Sequence, residues 1–139
     1  TMNAALGISQ LNKITKIINM RRKNAHYLNK HLLNIKEITT LKELNKHFQV
    51  YQMYTIKLTK NKTRDLLQKY LEKKNIMSKV YFNPIHLKTL YKTKYNYKKG
   101  TLPTTEYLSK LVLNIPMYPA MKKNELDYLI ESIKEFFKK

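Results

Sequence analysis

Lys79-Val80-Tyr81-Phe82-Asn83-Pro84-Ile85-His86-Leu87 is a β-branched, aromatic run that stops at a proline and places one histidine just past the stop. About thirty residues on, Asn114-Ile115-Pro116-Met117-Tyr118-Pro119 repeats the pattern, a short apolar segment closing in a proline-bounded turn that carries a tyrosine. Proline cannot donate to a sheet ladder, so each segment reads as a strand that ends there and hands its next residues to a loop. Loops held by a rigid scaffold are where binding groups tend to sit. His86 and Tyr118 are therefore candidate site positions on a small sheet.

Working outward, Phe48, Val50, Gln52, Tyr54, Ile56 and Leu58 alternate with Gln49, Tyr51, Met53, Thr55 and Lys57. Period two in a Tyr-, Val- and Ile-rich run predicts a strand over 48–58, with Phe48, Val50, Tyr54, Ile56 and Leu58 on its core face. A second strand is expected over 76–82 and a brief third over 113–115. Before them, Ala4, Ala5, Ile8, Leu11, Ile14, Ile17, Ile18, Ala25, Leu28 and Leu32 keep a helical period, predicting one long amphipathic helix over 4–33. Its first two turns carry an apolar patch (Ala4, Ala5, Leu6, Ile8) that is expected to seek a partner. Residues 34–46 read as a connecting loop.

Asn61 and Thr63 offer N-caps for a helix burying Leu66, Leu67, Tyr70 and Leu71. The Tyr- and Lys-rich stretch 90–100 has no pattern and reads as a mobile loop. Pro103 before Thr104, Thr105 and Glu106 opens a short helix to about residue 112. The last helix, from about Lys123, carries Leu126, Leu129, Ile130, Ile133, Phe136 and Phe137 on one stripe. Helices returning between strands of a three-stranded, mostly antiparallel sheet make an α+β domain with helices on one face.

Composition bounds the chemistry. The 139 residues suffice for one domain. With no cysteine there is no disulfide framework, thiolate metal site or cysteine nucleophile. No apolar run approaches the ~18 residues that span a bilayer, and no signal-peptide core is seen. A soluble, cytoplasmic protein is the expectation. The net charge of +19 invites a nucleic-acid reading. Yet 28 basic residues include only Arg21, Arg22 and Arg64 as arginines, the residue suited to bidentate phosphate and guanine contacts.

In this order and spacing the chain resembles the C-terminal domain of the DegT/DnrJ/StrS family of PLP-dependent sugar aminotransferases. Residues 3–11 (Asn3-Ala4-Ala5-Leu6-Gly7-Ile8-Ser9-Gln10-Leu11) are similar to the start of that family's long helix, and Arg21-Arg22-Lys23-Asn24-Ala25-His26-Tyr27 to its continuation. Val50 through Ile56 resembles the first small-domain strand. Val80-Tyr81-Phe82 leading into Pro84-Ile85-His86-Leu87, the Pro103-Thr104-Thr105-Glu106 helix start and residues 113–119 complete the likeness.

The resemblance implies a small domain of a fold-type I enzyme, with residues 1–33 as a connecting helix and 47–139 as the α+β core. It implies that pyridoxal 5'-phosphate is held by a lysine, an acidic partner and a phosphate turn in a large N-terminal domain ahead of Thr1. With only Gly7 and Gly100 available, no glycine-rich phosphate loop can form here. The expectation is an intact homodimer that passes an amino group, from glutamate, to a nucleotide-linked keto sugar in cell-surface polysaccharide biosynthesis. This chain alone is expected to be inactive and to bind no cofactor. Two other classes stay in view: a stand-alone basic nucleic-acid module, and a non-catalytic partner subunit of a full-length homologue.

The resemblance also assigns the site residues. A lone histidine at a strand exit is more often a hydrogen-bonded structural group, whereas the family's histidine at this motif faces the sugar-nucleotide pocket, which makes His86 a substrate-binding candidate. Tyr81 either shares that pocket or packs in the core. No catalytic residue and no metal ligand is assigned. His26 and His31, five apart on a helix, do not share a face for a metal, and His47 carries no signal. Glu125, Asp127, Glu131 and Glu135 read as a solvated helix face. Tyr91, Tyr95 and Tyr97 read as a surface loop near the substrate's entrance. The final helix lacks the usual Thr, Ser or Asp cap, and Asn124 is expected to replace it.

Overall fold

The computed structural model describes residues 1–138, and it is an α+β domain whose sheet is entirely antiparallel. Its three strands are β1 (Ile38–Thr40), β2 (Tyr54–Leu58) and β3 (Val112–Ile115), ordered β1-β2-β3. Ile38 pairs with Leu58 and Thr40 with Ile56 on one side of β2, while Tyr54 faces Ile115 and Ile56 faces Leu113 on the other. Tyr54, Ile56 and Leu58 point inward and Lys57 outward, the strand alternation expected of a half-buried sheet. Helices α2 (Ile14–Leu32), α3 (Asn61–Lys73) and α6 (Lys123–Phe137) lie against it. Leu28, Leu32, Leu67, Leu71, Leu129 and Ile133 join Ile56, Leu58 and Leu113 in one hydrophobic cluster.

The long N-terminal helix is two helices. α1 (Met2–Leu11) ends where the Asn12 N–H bonds Ile8 O and the Lys13 N–H tightens onto Gln10 O; Lys13 O then accepts from Ile17 to start α2. No residue of α1 is buried, so no packing holds it collinear with α2, whose Ala25, Leu28 and Leu32 are at 0% exposure. Leu6, Ile8 and Leu11 each remain at least 60% exposed, the apolar patch expected from the pattern.

Three expectations about strands need correction. The strand expected over 76–82 reduces to a single bridge at Lys79, whose N–H and carbonyl meet Asn114 at 2.9 Å each. Beyond it the chain turns away, Phe82 is 71% exposed, and Pro84 has no donor to extend the ladder. The place of that segment in the three-stranded sheet is taken by Ile38–Thr40, inside the expected loop, while the strand expected over 113–115 forms as β3. β2 is also shorter than 48–58, because Tyr51 adopts φ 49°, a left-handed conformation that breaks the alternation. Tyr51 is therefore buried, while Phe48 and Val50, expected in the core, are exposed.

The segment before β2 is clamped rather than loose. Arg22 grips both oxygens of Glu43, at 2.7 and 3.0 Å, donates to Gln49 O at 2.6 Å and lies 4.2 Å above the Phe48 ring. Glu43 also accepts the Gln49 N–H at 2.8 Å.

Helix details differ likewise. In α3, Leu67 and Leu71 are fully buried, but Leu66 is exposed and Tyr70 only half-buried. The residue ahead of α3 is Lys60, not Asn61 or Thr63. The stretch read as a mobile loop contains helix α4 (Thr89–Tyr95), stopped by Asn96 at φ 54°. α5 (Pro103–Leu108) begins at the expected proline. α6 starts at Lys123 without Asn124 as a cap: the Glu125 carboxylate reaches back to accept the Lys122 N–H at 2.6 Å. Nor is the acidic face of α6 merely solvated. Asp127 accepts from Tyr27, Glu131 pairs with Lys134, and Glu135 with Lys74, which ties α6 to α2 and to the end of α3.

Leu129→Ala and Ile133→Ala, at 1% and 0% exposure, should each cost ~2–5 kcal/mol in denaturant unfolding. Phe48→Ala should cost far less. The clamp gives a pH signature. Arg22 first, and then the Gln49 N–H, hold the Glu43 carboxyl at about 2 against 4.5 ordinarily. Its contribution is complete above the ordinary value and is lost as pH falls from there through the folded value. Between about pH 6 and about pH 3, Glu43→Gln should lose less stability than the parent chain. Equal losses would exclude the clamp.

Candidate functional site

The site grows from the bridge at Lys79. Tethered there to β3, the chain runs through Val80 to Pro84, whose ring opens a single 3₁₀ turn, Ile85–Leu87. That turn carries His86 inward to 6% exposure. Nε2 of His86 lies 3.0 Å from Oε1 of Glu106, twenty residues ahead on α5 and itself 8% exposed. The same oxygen accepts the Gly100 N–H at 2.8 Å. Gly100 sits at φ +94°, where a side chain would be strained, and this lets the turn present its N–H to Glu106. The His86 hydrogen bond above all, and then the Gly100 N–H, hold the Glu106 carboxyl below its ordinary range against the opposing effect of burial. Glu106 is thus an acceptor, and Nε2 of His86 is the donor.

Beside His86 opens a cleft of about 620 Å³, while Glu106 borders a neighbouring depression. The walls of the cleft include the rings of Tyr81, Phe82, Tyr91 and Tyr97. Tyr81 and Phe82 meet edge to face at 5.2 Å, the Tyr97 ring stands edge-on to His86 at 6.2 Å, and Tyr91 stacks beside Tyr95 at 5.9 Å. Tyr81 is 41% exposed, so it is a wall residue rather than a core one. Asn83, Pro84 and Ser109 are shared with a second depression of about 350 Å³ carrying Arg64, Lys88, Lys99 and Lys110. An apolar, aromatic cleft therefore adjoins a cationic one across a common corner.

The structure brings His86 and Tyr81 together and leaves Tyr118 out. The Tyr118 hydroxyl donates to Glu125 at 2.6 Å, and its ring lines a separate depression beside α6. The carboxylate beside it, and then burial, raise its phenol pKa. Glu106 and the cationic corner were missed by sequence reasoning. Neither has a local signal: His86 and Glu106 lie twenty residues apart, and the four cations of the corner are scattered between positions 64 and 110. Among the described residues no cluster of His, Asp and Glu could hold a metal.

The model of the DegT/DnrJ/EryC1/StrS aminotransferase family matches residues 1–134. The chain belongs to that family. A pleiotropic regulatory protein of Geobacillus stearothermophilus is 35% identical over 102 residues, 73% of this chain and 26% of that protein. GDP-perosamine synthase of Escherichia coli O157:H7 is 28% identical over 134 residues, 96% of this chain and 35% of that enzyme. The crystal structure of a DegT DnrJ EryC1 StrS aminotransferase from Brucella abortus superposes with a TM-score of 0.82 at 26% identity, over 95% of this chain and 34% of its own. The chain thus spans about a third of the length of the relatives it matches.

The described residues offer pyridoxal phosphate no fitting site. A lysine that holds the cofactor has to be desolvated and unpaired enough to act as an amine. Among the described residues every lysine is exposed except Lys74 and Lys134, and these half-covered two are paired with Glu135 and Glu131. Gly7 lies on exposed α1, and the Gly100 N–H is taken by Glu106, so no phosphate turn remains.

Tyr81→Ala should leave stability within ~0.5 kcal/mol of the parent, as at exposed positions. His86→Ala should lower the melting temperature measurably, because it strips a buried carboxylate of its main donor. Equal, negligible shifts would mean that the buried pair does not form.

Proposed function

We propose that this chain is the C-terminal small domain of a pyridoxal-phosphate-dependent aminotransferase acting on a nucleotide-linked keto sugar. The observation that carries the reading is the family match over 1–134, joined to a cleft that contains both expected site residues. A relative named GDP-perosamine synthase supports a nucleotide-linked sugar as the substrate class. The amino donor is an amino acid, glutamate in this reading, and the product serves cytoplasmic steps of cell-surface polysaccharide synthesis.

In this reading the cofactor lysine and phosphate turn belong to a large domain that relatives three times as long have room for. Pyridoxal phosphate, bound there, supplies the carrier for the amino group. Alone, the present chain catalyses no transfer. Its contribution is to close one side of the substrate cleft. His86 and Tyr81 meet the sugar, and Arg64, Lys88, Lys99 and Lys110 face the diphosphate across the Asn83-Pro84 corner. A cleft of a few hundred Å³ with aromatic walls suits a ligand of that size. The intact enzyme is a homodimer, and the open apolar face of α1 is available to cover part of a neighbouring body.

The test is made in the full-length protein carrying this chain, with the two halves of the reaction measured separately. His86→Ala should lower kcat/KM for the keto sugar roughly three- to a hundred-fold, the value of one hydrogen bond to a neutral or a charged group. Conversion of glutamate to 2-oxoglutarate should keep its rate. Equal damage to both halves would make His86 structural. A protein that transfers no amino group at all, with cofactor supplied, would end the reading.

A further inference from the structure

We propose that Glu106 is a positioning residue: it holds His86 in the Nε2–H tautomer, so that Nδ1 is the atom His86 offers to a hydroxyl of the substrate. The inference rests on the reading that His86 meets the nucleotide-linked sugar, and deepens it by naming the group that sets how the ring does so. Two donors converge on Oε1 of Glu106, His86 Nε2 at 3.0 Å and the Gly100 N–H at 2.8 Å. A carboxylate only accepts, so the proton of this contact belongs to the imidazole. The two side chains are 6% and 9% exposed, which leaves little room for water to substitute for either partner.

Both partners stand on braced backbone. Pro84 precedes the turn that bears His86, Pro103 is the first residue of α5, and the Ser109 hydroxyl ties back to Glu106 O at 2.9 Å. The other ring beside His86 is Tyr97, edge-on at 6.2 Å. Nδ1 of His86 makes no hydrogen bond to another described residue. With its one proton on Nε2 the ring has a single lone pair left, at Nδ1, and the matching ligand group is a hydroxyl donor. Without Glu106 the ring could carry its proton on either nitrogen, and a lone pair at Nδ1 would no longer be assured.

The experiment is a double-mutant cycle in the full-length protein, using Glu106→Gln, which keeps the size and one acceptor oxygen, and His86→Ala. Readouts are kcat/KM for a nucleotide-linked keto sugar, the glutamate half-reaction as internal reference, and the ¹⁵N shifts of the histidine rings. Glu106→Gln should lower kcat/KM for the sugar roughly three- to ten-fold, the difference between a charged and a neutral acceptor. It should spare the glutamate half, and add nothing once His86 is Ala. Neutral His86 should show a protonated Nε2 and a bare Nδ1. No effect of His86→Ala would remove the underlying reading. A His86→Ala loss without a Glu106→Gln loss, a Glu106 effect that persists undiminished in the His86→Ala background, or the opposite tautomer would overturn the positioning role and leave that reading standing.

Discussion

Asn114 is the residue on which the two halves of the domain depend. In an antiparallel ladder a residue's N–H and carbonyl point to the same side. On β3 those of Asn114 point away from β2 and bond both groups of Lys79 at 2.9 Å. Facing β2, Asn114 is opposite Thr55 in a pair without backbone bonds, where side chains approach closely, and the Thr55 hydroxyl donates to its amide oxygen at 2.6 Å. One residue thus joins the packed sheet to the segment that carries Tyr81 and His86. That position explains why a 3₁₀ turn outside the sheet can hold a buried histidine in fixed relation to α5.

What was legible in the sequence follows from how many residues carry each signal. α6, with Leu126, Leu129, Ile130 and Ile133 buried on one stripe, repeats its period over four turns and reads correctly. β2 reads correctly from Tyr54 to Leu58 and fails before it, because period two cannot report that Tyr51 turns left-handed and reverses the inward face. β1 is three residues long, so Ile38 and Thr40 give too little alternation to stand out from a loop. α4 was missed because none of its residues is buried, and helical periodicity is a record of burial. Its local sign was the stop at Asn96, a residue that tolerates the left-handed conformation.

The site shows the same division. The resemblance singles out His86 and Tyr81, which sit in a contiguous motif, and the structure places both on one cleft. Glu106 was quoted only as part of a helix start, and nothing in Pro103-Thr104-Thr105-Glu106 says that its carboxylate turns inward. Tyr118 misled for a related reason. Its proline-bounded turn has the look of a binding loop, but the Tyr118 hydroxyl donates to Glu125 in the first turn of α6, and the turn accepts Asn24 of α2, whose side-chain amide donates to Tyr118 O at 2.9 Å and to Pro119 O at 3.2 Å.

The scarcity of acids in so basic a chain bears on how the fold and the cleft coexist. Of nine acidic residues, seven have a side-chain partner: Glu43, Asp65, Glu106, Glu125, Asp127, Glu131 and Glu135. Four of these contacts join separate parts of the structure, namely Arg22–Glu43, His86–Glu106, Tyr27–Asp127 and Lys74–Glu135. Carboxylates placed at joints leave the remaining surface overwhelmingly cationic, and a concave cationic surface raises the local concentration of anions. Among the described residues that line the cationic depression at the common corner the one acid is Glu106, and it is engaged by His86 and the Gly100 N–H. The lysines and Arg64 around that corner therefore meet no competing negative charge within it, apart from Asp65 at 2.6 Å from Arg64. The contact between His86 and Glu106 thus also occupies a carboxylate that would otherwise weaken the depression's pull on an anion, as Asp65 does at Arg64.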